Sequence, residues 1–229
     1  MKYLRILDTF SILGYLALSV WLAFRMLDSW QAHPDPFLLL YCGLIIVFAY
    51  LAADLLSGIV HFLADNYGNE TTPVLGPALI HPFRDHHVDP KGITRHGFLE
   101  TNGNNCLICI PVLLGVHYLY SWFSPRIAFL LGAVVNSTLV FIFLTNQIHK
   151  WAHQETPSPF IRLLQKSGLI LSPSHHELHH RAPHLTNYCI TSGWLNPLLD
   201  RTGILKFLLR ISGKVSSAPE AARTGHGLH

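Results

Sequence analysis

The chain is predicted to be an all-α integral membrane protein, a four-helix bundle with a cytoplasmic histidine-rich cap. Half of its 229 residues are hydrophobic and only 13% are charged, whereas soluble domains carry about a quarter charged residues. Four apolar stretches are each long enough to cross the roughly 30 Å hydrocarbon core of a bilayer. The sixteen histidines outnumber the thirteen Asp and Glu residues together, and half of them fall in four short clusters.

The four apolar stretches are interpreted as membrane spans over about 10–27, 37–56, 106–123 and 127–145. The first follows Lys2 and Arg5 as a secretory signal would, but its apolar run is too long and no small-residue cleavage site follows it. The second belongs to a helical pattern that continues to Asp65, roughly 43 Å at 1.5 Å per residue. Its last turns are therefore expected to leave the membrane or to bend.

Basic residues predict the orientation of the bundle. With four spans, the amino terminus, the loop 66–104 and the tail after 146 share one side of the membrane. That side holds all sixteen Lys and Arg residues except Arg25 and Arg126. The positive-inside rule makes it cytoplasmic. Both termini and all the histidine clusters are then expected at the cytoplasmic face of a bacterial inner membrane or of the endoplasmic reticulum.

One membrane domain is expected over 1–211, with its cap formed by 57–105 and 146–211, followed by a disordered tail over 212–229. The long loop between the second and third spans mixes histidine, acid, base and turn residues too densely for a flexible linker. Loops of that length are usually functional or disordered. We expect this one to be ordered.

An amphipathic helix is predicted over 160–171, within the second half of the cap. Ile161, Leu164 and Leu169 would form its apolar side, with basic residues opposite. A helix of this kind can lie in the membrane interface.

The histidine clusters have the spacing of metal ligands on helices. Side chains at i and i+4 share a helical face and i+3 is turned by about 60°, so one turn can serve two neighbouring metals. Neutral imidazole is the commonest protein ligand for transition metals. Since one zinc needs only about four ligands, the surplus predicts two ions. The predicted ligands are the members of the four clusters, His61, Asp65, His86, His87, His149, His153, His176, His179 and His180.

Asp54 precedes His61 by about two turns on the same helical face. A carboxylate inside an apolar helix is costly unless it is paired, so it is interpreted as an acid that packs beside the ligands or supports them. Gly58 lies between the two and is expected to let another helix approach closely.

A different function is compatible with the last cluster. The segment 176–180 also matches the HExxH motif, in which two histidines bind zinc and the glutamate is the general base. An intramembrane zinc metalloprotease using His176, Glu177 and His180 is therefore an alternative, although it leaves the first three clusters without a role. A third hypothesis is a metal-binding or scaffold protein that has lost its activity.

Five segments resemble the signature of one lipid desaturase family, the Kua-type group. They are GIVHFLADNYG, PFRDHHVDPKGITRHGFLETNG, TNQIHKWAHQ, HHELHHRAPH and YCITSGWLNPLLD. The resemblance implies a fold like that of membrane fatty-acid desaturases. It also implies two iron ions that use O2 and two electrons to remove two hydrogens from an unactivated lipid chain.

The resemblance also implies which side chains bind the irons. The four clusters correspond to the family's histidine motifs, with Asp65, His149 and His96 as the less certain ligands. His184 is either a ligand or a residue that orients one.

The substrate implied by the resemblance is a membrane phospholipid. Bacterial and animal members introduce the vinyl ether double bond into the sn-1 alkyl chain of plasmanyl phospholipids to give plasmalogens. The plastid branch desaturates an acyl chain, for example of phosphatidylglycerol, and is the alternative. The lack of an Arg- and Ser-rich transit segment favours the ether lipid.

Position and charge place the lipid phosphate near Arg84, Lys91 or Arg95, whose alternative role is ordinary cytoplasmic orientation charge. The sequence shows no flavin or nucleotide motif, so electrons are expected from a separate carrier, cytochrome b5 or a ferredoxin, with its reductase. No nucleic-acid partner is expected.

Overall fold

The computed structural model describes residues 2–34 and 36–214, and all regular secondary structure in these ranges is helical. The helices are α1 (Lys2–Ala32), α2 (Leu38–Asn66), α3 (His81–Val88), α4 (Gly92–Arg95), α5 (Phe98–Leu119), α6 (Pro125–Ala152), α7 (Pro159–Lys166), α8 (Pro173–His180), α9 (Asn196–Thr202) and α10 (Ile204–Ile211). The predicted all-α class is confirmed. Most of the predicted disordered tail, from 215 onward, lies outside the described residues.

The four long helices expose apolar side chains on their outer faces. Phe10 of α1, Phe48 of α2 and Ile108 of α5 each leave 60% or more of their surface uncovered. Each of α1, α2, α5 and α6 is long and apolar enough to cross a membrane. Hydrocarbon is the solvent in which such a surface is stable, so the chain is a multi-pass membrane protein.

The bundle packs around α1, α5 and α6, and α2 joins it by packing against α6. Tyr15, Leu22 and Leu113 are almost completely buried between these helices. Because the long helices alternate in direction, the carboxyl ends of α2 and α6 meet the amino end of α5 at one end of the bundle. The short helices of the cap lie at that end, around the histidine clusters.

Serine–proline pairs determine where two cap helices begin. Ser158 accepts a hydrogen bond from the backbone N–H of Ile161 at 3.4 Å, and Ser172 accepts one from His175 at 3.3 Å. A proline follows each serine in the first helical turn, where its missing N–H costs nothing. The register of α8, and with it the direction of its histidines, is thereby set from its first residue.

The structure corrects the extent of the predicted amphipathic helix over 160–171. Helix α7 ends at Lys166, because Gly168 adopts a left-handed conformation with a φ of +72°. Ile161 is buried, as the apolar side requires, whereas Leu169 lies beyond the helix and is 47% exposed.

The prediction that Gly58 admits another helix is also corrected. The close neighbour is a non-helical segment at Cys189, whose Sγ would lie only 2.6 Å from a Cβ added at Gly58. The backbone of this segment contacts α2 at this point, and only a glycine leaves room for it.

Candidate metal centre

Nine side chains converge in two neighbouring groups at the cap end of the bundle, within the part of the chain that the structure describes. Within each group the potential ligand atoms lie within 4.8 Å of one another. The five-histidine group consists of His86, His149, His153, His176 and His180. The Asp65 group consists of His61, Asp65, His87 and His179. These are the nine residues that the spacing and the resemblance singled out.

In the five-histidine group, Nε2 atoms point at one another. The Nε2 of His176 lies 2.8 Å from that of His149 and 3.0 Å from that of His180. The Nε2 atoms of His86 and His153 are 2.9 Å apart. Imidazole nitrogens bound about 2.1 Å from one ion and at right angles would lie ~3.0 Å apart, so these separations fit a shared ion.

In the Asp65 group, one carboxylate oxygen is surrounded by three imidazoles. Asp65 Oδ2 lies 3.1 Å from the Nε2 of His87, 3.4 Å from that of His61 and 3.5 Å from that of His179. The other oxygen, Oδ1, is buried without a hydrogen-bond partner, as are the Nε2 atoms of His61 and His179. Buried polar atoms without partners are rare in native proteins, and a bound ion explains them.

Helical geometry explains why there are two groups. Adjacent residues on α3 point in different directions, so His86 joins the five-histidine group and His87 the Asp65 group. On α8, His176 and His180 share one face while His179 turns to the other group. The groups are neighbours, since the ring centroids of His179 and His180 are 5.7 Å apart.

Four histidines of the five-histidine group have lowered pKa values, which keep them in their neutral form. Burial, followed by the neighbouring histidines, lowers the pKa of His86 and of His176 well below its usual value. The same causes lower the pKa of His153 to about 4 and that of His180 to about 3. At neutral pH these rings therefore keep a lone pair, which a metal ligand needs.

The composition of both groups suits a transition metal. Imidazole, alone as in the five-histidine group or with a carboxylate as in the Asp65 group, suits ions such as iron, zinc and copper, whereas magnesium and calcium prefer oxygen ligands. The residues present therefore fit the metal-dependent chemistry that the sequence predicts.

The structure places three other candidates outside both groups. Asp54 is fully buried and accepts hydrogen bonds from the backbone N–H groups of Ser192, Gly193 and Leu195. His96 is half-exposed, with its Nε2 3.9 Å from Glu100. His184 donates from Nδ1 to the carbonyl of His179 at 3.1 Å, and its ring centroid lies 4.5 Å from that of His87. His184 thus supports a ligand-bearing segment directly.

The three predicted phosphate-binding bases all have partners within the chain. Arg84 donates to the carbonyl oxygens at the end of α2, among them that of Tyr67 at 3.0 Å. Lys91 pairs with Glu155, and Arg95 pairs with Asp89. Arg84 therefore caps a ligand-bearing helix, a role that charge alone did not indicate.

The HExxH alternative lacks its general base. Glu177 is exposed, while His176 and His180 turn inward to the five-histidine group. A base that activates a zinc-bound water must lie beside the metal, so the metalloprotease interpretation is not supported by this geometry.

Two hydrogen bonds that orient histidines of the Asp65 group could not be predicted from the types of side chain in the sequence. The carbonyl oxygens of Tyr188 and Thr186 accept hydrogen bonds from the Nδ1 atoms of His61 and His179 at 3.1 and 2.8 Å. A backbone acceptor can belong to any residue type. The one indirect sign is Asp54, a carboxylate in an apolar helix that needs partners.

Fold and site together define a class of protein: multi-pass membrane proteins with a buried histidine-rich metal centre at one end of a four-helix bundle. A profile of the lipid desaturase domain matches residues 50–217, which include all nine side chains of the two groups. The chain belongs to this lipid desaturase family.

Three relatives illustrate the similarity. A plasmanylethanolamine desaturase of Myxococcus xanthus is 42% identical over 193 residues, which are 84% of this chain and 66% of that protein. Plasmanylethanolamine desaturase 1 of Mus musculus is 43% identical over 201 residues, 86% of this chain and 72% of the mouse protein. The chloroplastic fatty acid desaturase 4 of Arabidopsis thaliana is 34% identical over 199 residues, 85% of this chain and 58% of the plant protein. No solved structure matches the chain significantly.

Proposed function

We propose that the chain is an O2-dependent lipid desaturase that binds one iron ion in each of its two groups. Its substrate is a plasmanyl phospholipid, and its product carries a vinyl ether double bond between the first two carbons of the sn-1 alkyl chain. The relatives named plasmanylethanolamine desaturase are 42% and 43% identical to the chain, against 34% for the relative named fatty acid desaturase 4.

The observation that carries this proposal is the convergence of nine nitrogen- and oxygen-bearing side chains in two adjacent buried groups. A single-metal hydrolase has no use for a second set of ligands. Two neighbouring ions with mainly imidazole ligands suit oxygen chemistry, which needs two electrons stored in one place.

The position of the groups suits carbons close to a lipid headgroup. From Leu38 to His61, α2 rises roughly 35 Å, which exceeds the roughly 30 Å of the hydrocarbon core. The ligands thus lie at the membrane boundary. The first two carbons of an sn-1 chain adjoin the glycerol and lie at the same depth, so the substrate reaches the site from the adjacent leaflet.

The reaction balances as one CH2–CH2 unit, O2, two electrons and two protons giving CH=CH and two water molecules. The two irons, when bound, supply an oxidant strong enough to remove hydrogen from an alkyl carbon. The chain's own residues keep the ligands buried and oriented. His61, His149, His176 and His179 are all at least 96% buried, which keeps bulk water away from the reacting carbons.

The electrons come from a separate one-electron carrier, cytochrome b5 or a ferredoxin, with its reductase. His153 and His180 are the members of the five-histidine group that are not fully buried, so this edge of the site is the shorter path for electrons from the cytoplasm. The proposal includes both termini and the metal centre on the cytoplasmic side, because nearly all Lys and Arg residues lie there.

The second candidate function is desaturation of an acyl chain of a phospholipid such as phosphatidylglycerol. It is favoured by the relatives named chloroplastic fatty acid desaturases, which are 33–34% identical to the chain. Both candidates use the same metal centre, and they differ in the lipid that is consumed.

The test is to express the chain in cells that make plasmanyl lipids but no plasmalogens, and to measure vinyl ethers by lipid mass spectrometry. We expect vinyl ethers with the unchanged chain and none with His86→Ala. The matched control is His81→Ala, which removes a 58% exposed imidazole from the same helix, α3, and should keep the activity. New acyl double bonds instead of vinyl ethers would establish the alternative. Absence of both products from an iron-loaded, reduced enzyme would refute the proposal.

A further inference from the structure

The segment 186–195, the second part of the connection between α8 and α9, is an irregular stretch of backbone buried against α2, and we call it the 186–195 loop. Tyr188, Cys189, Ile190 and Thr191 are each no more than 1% exposed. Backbone N–H and C=O groups buried in this way require partners. Many of those partners belong to α2 and to the Asp65 group, so the loop connects the two.

Asp54 accepts hydrogen bonds from three backbone N–H groups of the loop. It is 0% exposed, and its Oδ1 accepts hydrogen bonds from the backbone N–H groups of Ser192 and Gly193 at 2.8 and 2.9 Å. Its Oδ2 accepts one from Leu195 at 3.1 Å. Hydrogen bonds to a charged carboxylate are about twice as strong as neutral ones. The carboxylate therefore ties the loop to the helix that also carries His61 and Asp65.

Ser57 and Gly58 complete this attachment. The hydroxyl of Ser57 accepts a hydrogen bond from the N–H of Ile190 at 3.1 Å. Gly58 lets the backbone at Cys189 touch α2, where a Cβ would lie 3.2 Å from the amide nitrogen. The loop is thus held at three successive points along one face of α2.

In return, the loop determines the tautomer of two histidines in the Asp65 group. Carbonyl oxygens of the loop, those of Tyr188 and Thr186, lie 3.1 Å from His61 Nδ1 and 2.8 Å from His179 Nδ1. A carbonyl oxygen can only accept, so both Nδ1 atoms carry the hydrogen. The lone pairs are then on Nε2, and both of these nitrogens face Asp65.

The five-histidine group lacks this support. The Nδ1 atoms of His176 and His180 are buried without a hydrogen-bond partner among the described residues. The Nδ1 atom of His87 has no partner there either, so the loop supports two of the three imidazoles of the Asp65 group. The loop carbonyls thus orient ligands of the Asp65 group, and the two groups differ in how their rings are held.

We infer that Asp54 is a positioning residue that acts through the 186–195 loop to set the metal affinity of the Asp65 group and leaves that of the five-histidine group unchanged. The inference rests on the proposed function, because it takes each group to bind one ion. It goes beyond that function because it states that the metal affinity of one group depends on contacts that the other group does not have.

The experiment compares the full chain with its Asp54→Asn variant, both purified in detergent and loaded with ferrous iron alone. Metal per chain is measured by elemental analysis, and affinity by competition with a chelator. Asn keeps the shape of Asp but replaces one acceptor oxygen with an NH2 group that faces N–H donors. We expect two ions in the unchanged chain. In the variant, one ion should be unaffected and the other held about 10–100-fold more weakly.

The matched control is Asp8→Asn, the same change at a buried acid of α1 that packs against Gly103. It should keep both ions. Ser57→Ala removes the acceptor of the Ile190 N–H and the hydroxyl's own bond to the Asp54 carbonyl, but keeps the Asp54 carboxylate. It should weaken the same single ion to a smaller extent. It carries the test if the Asp54 variant does not fold.

Two results would overturn the inference: both ions held with unchanged affinity in the Asp54 and Ser57 variants, or both ions weakened equally. An unchanged chain that holds fewer than two ions would instead refute the proposed function, which keeps the two failures distinguishable.

Discussion

Replacing Gly58 with Ala would add a methyl group where α2 touches the 186–195 loop. The new Cβ would lie 2.6 Å from Cys189 Sγ, 3.2 Å from its amide nitrogen and 3.3 Å from its Cα. Because the first separation is shorter than real contacts allow, the Cys189 thiol must move, and the two backbone separations require the loop itself to shift slightly away from α2. Overpacking of this kind costs about 1–3 kcal/mol. The loop also orients His61, so iron should be bound more weakly by the Asp65 group.

Thermal unfolding in detergent measures the cost. In a chain of this size each kcal/mol shifts Tm by about 2–4 °C, so Gly58→Ala should lower Tm by roughly 2–12 °C. The double variant with Cys189→Ala removes the contact to Sγ and leaves the two backbone contacts. It should therefore recover part of the loss relative to Cys189→Ala alone. A Tm for Gly58→Ala equal to that of the unchanged chain, or no recovery in the double variant, would refute this account of how the loop packs.

Three further predictions follow from the site. The Glu177→Gln variant should still desaturate lipid, since Glu177 is exposed. Complete loss of activity would show that Glu177 takes part in the reaction. Removing the metal with a chelator should lower Tm and adding iron should restore it, because an ion at 100 times its Kd stabilises the fold by about 2.7 kcal/mol; a Tm insensitive to iron would contradict the two-ion site. Arg84→Ala should lower Tm without raising the KM for lipid, because Arg84 caps α2. If Lys91→Ala or Arg95→Ala raises that KM, phosphate binding by these bases is supported after all.

Much of the fold follows from local sequence alone. Four apolar stretches can satisfy their backbone hydrogen bonds in hydrocarbon only as helices, so their number and approximate position are evident from composition. Serine–proline pairs in the sequence indicate where α7 and α8 begin. The end of α7 was predicted too late, because Gly168 interrupts an apolar pattern that otherwise continues to 171.

The nine residues of the two groups were also predictable, since periodicity determines which side chains leave a helix in the same direction. His86 and His87, or His179 and His180, diverge in any α-helix. What periodicity cannot determine is which clusters meet, because residues as far apart as His61 and His179 are brought together only by packing. The assignment to a five-histidine group and an Asp65 group is therefore tertiary information.

By itself, the sequence determined the membrane class, the helices and the residue types available to a metal, because these depend on composition and on spacing along one helix. Only the tertiary structure decided that Arg84 caps α2, that Glu177 faces outward and that Asp54 binds the 186–195 loop. The roles of Arg84 and Asp54 depend on backbone carbonyl and N–H groups of other segments, and the direction of Glu177 depends on which face of α8 packs against the bundle. Every residue type carries such a carbonyl, so their pairing leaves no trace in the order of side chains.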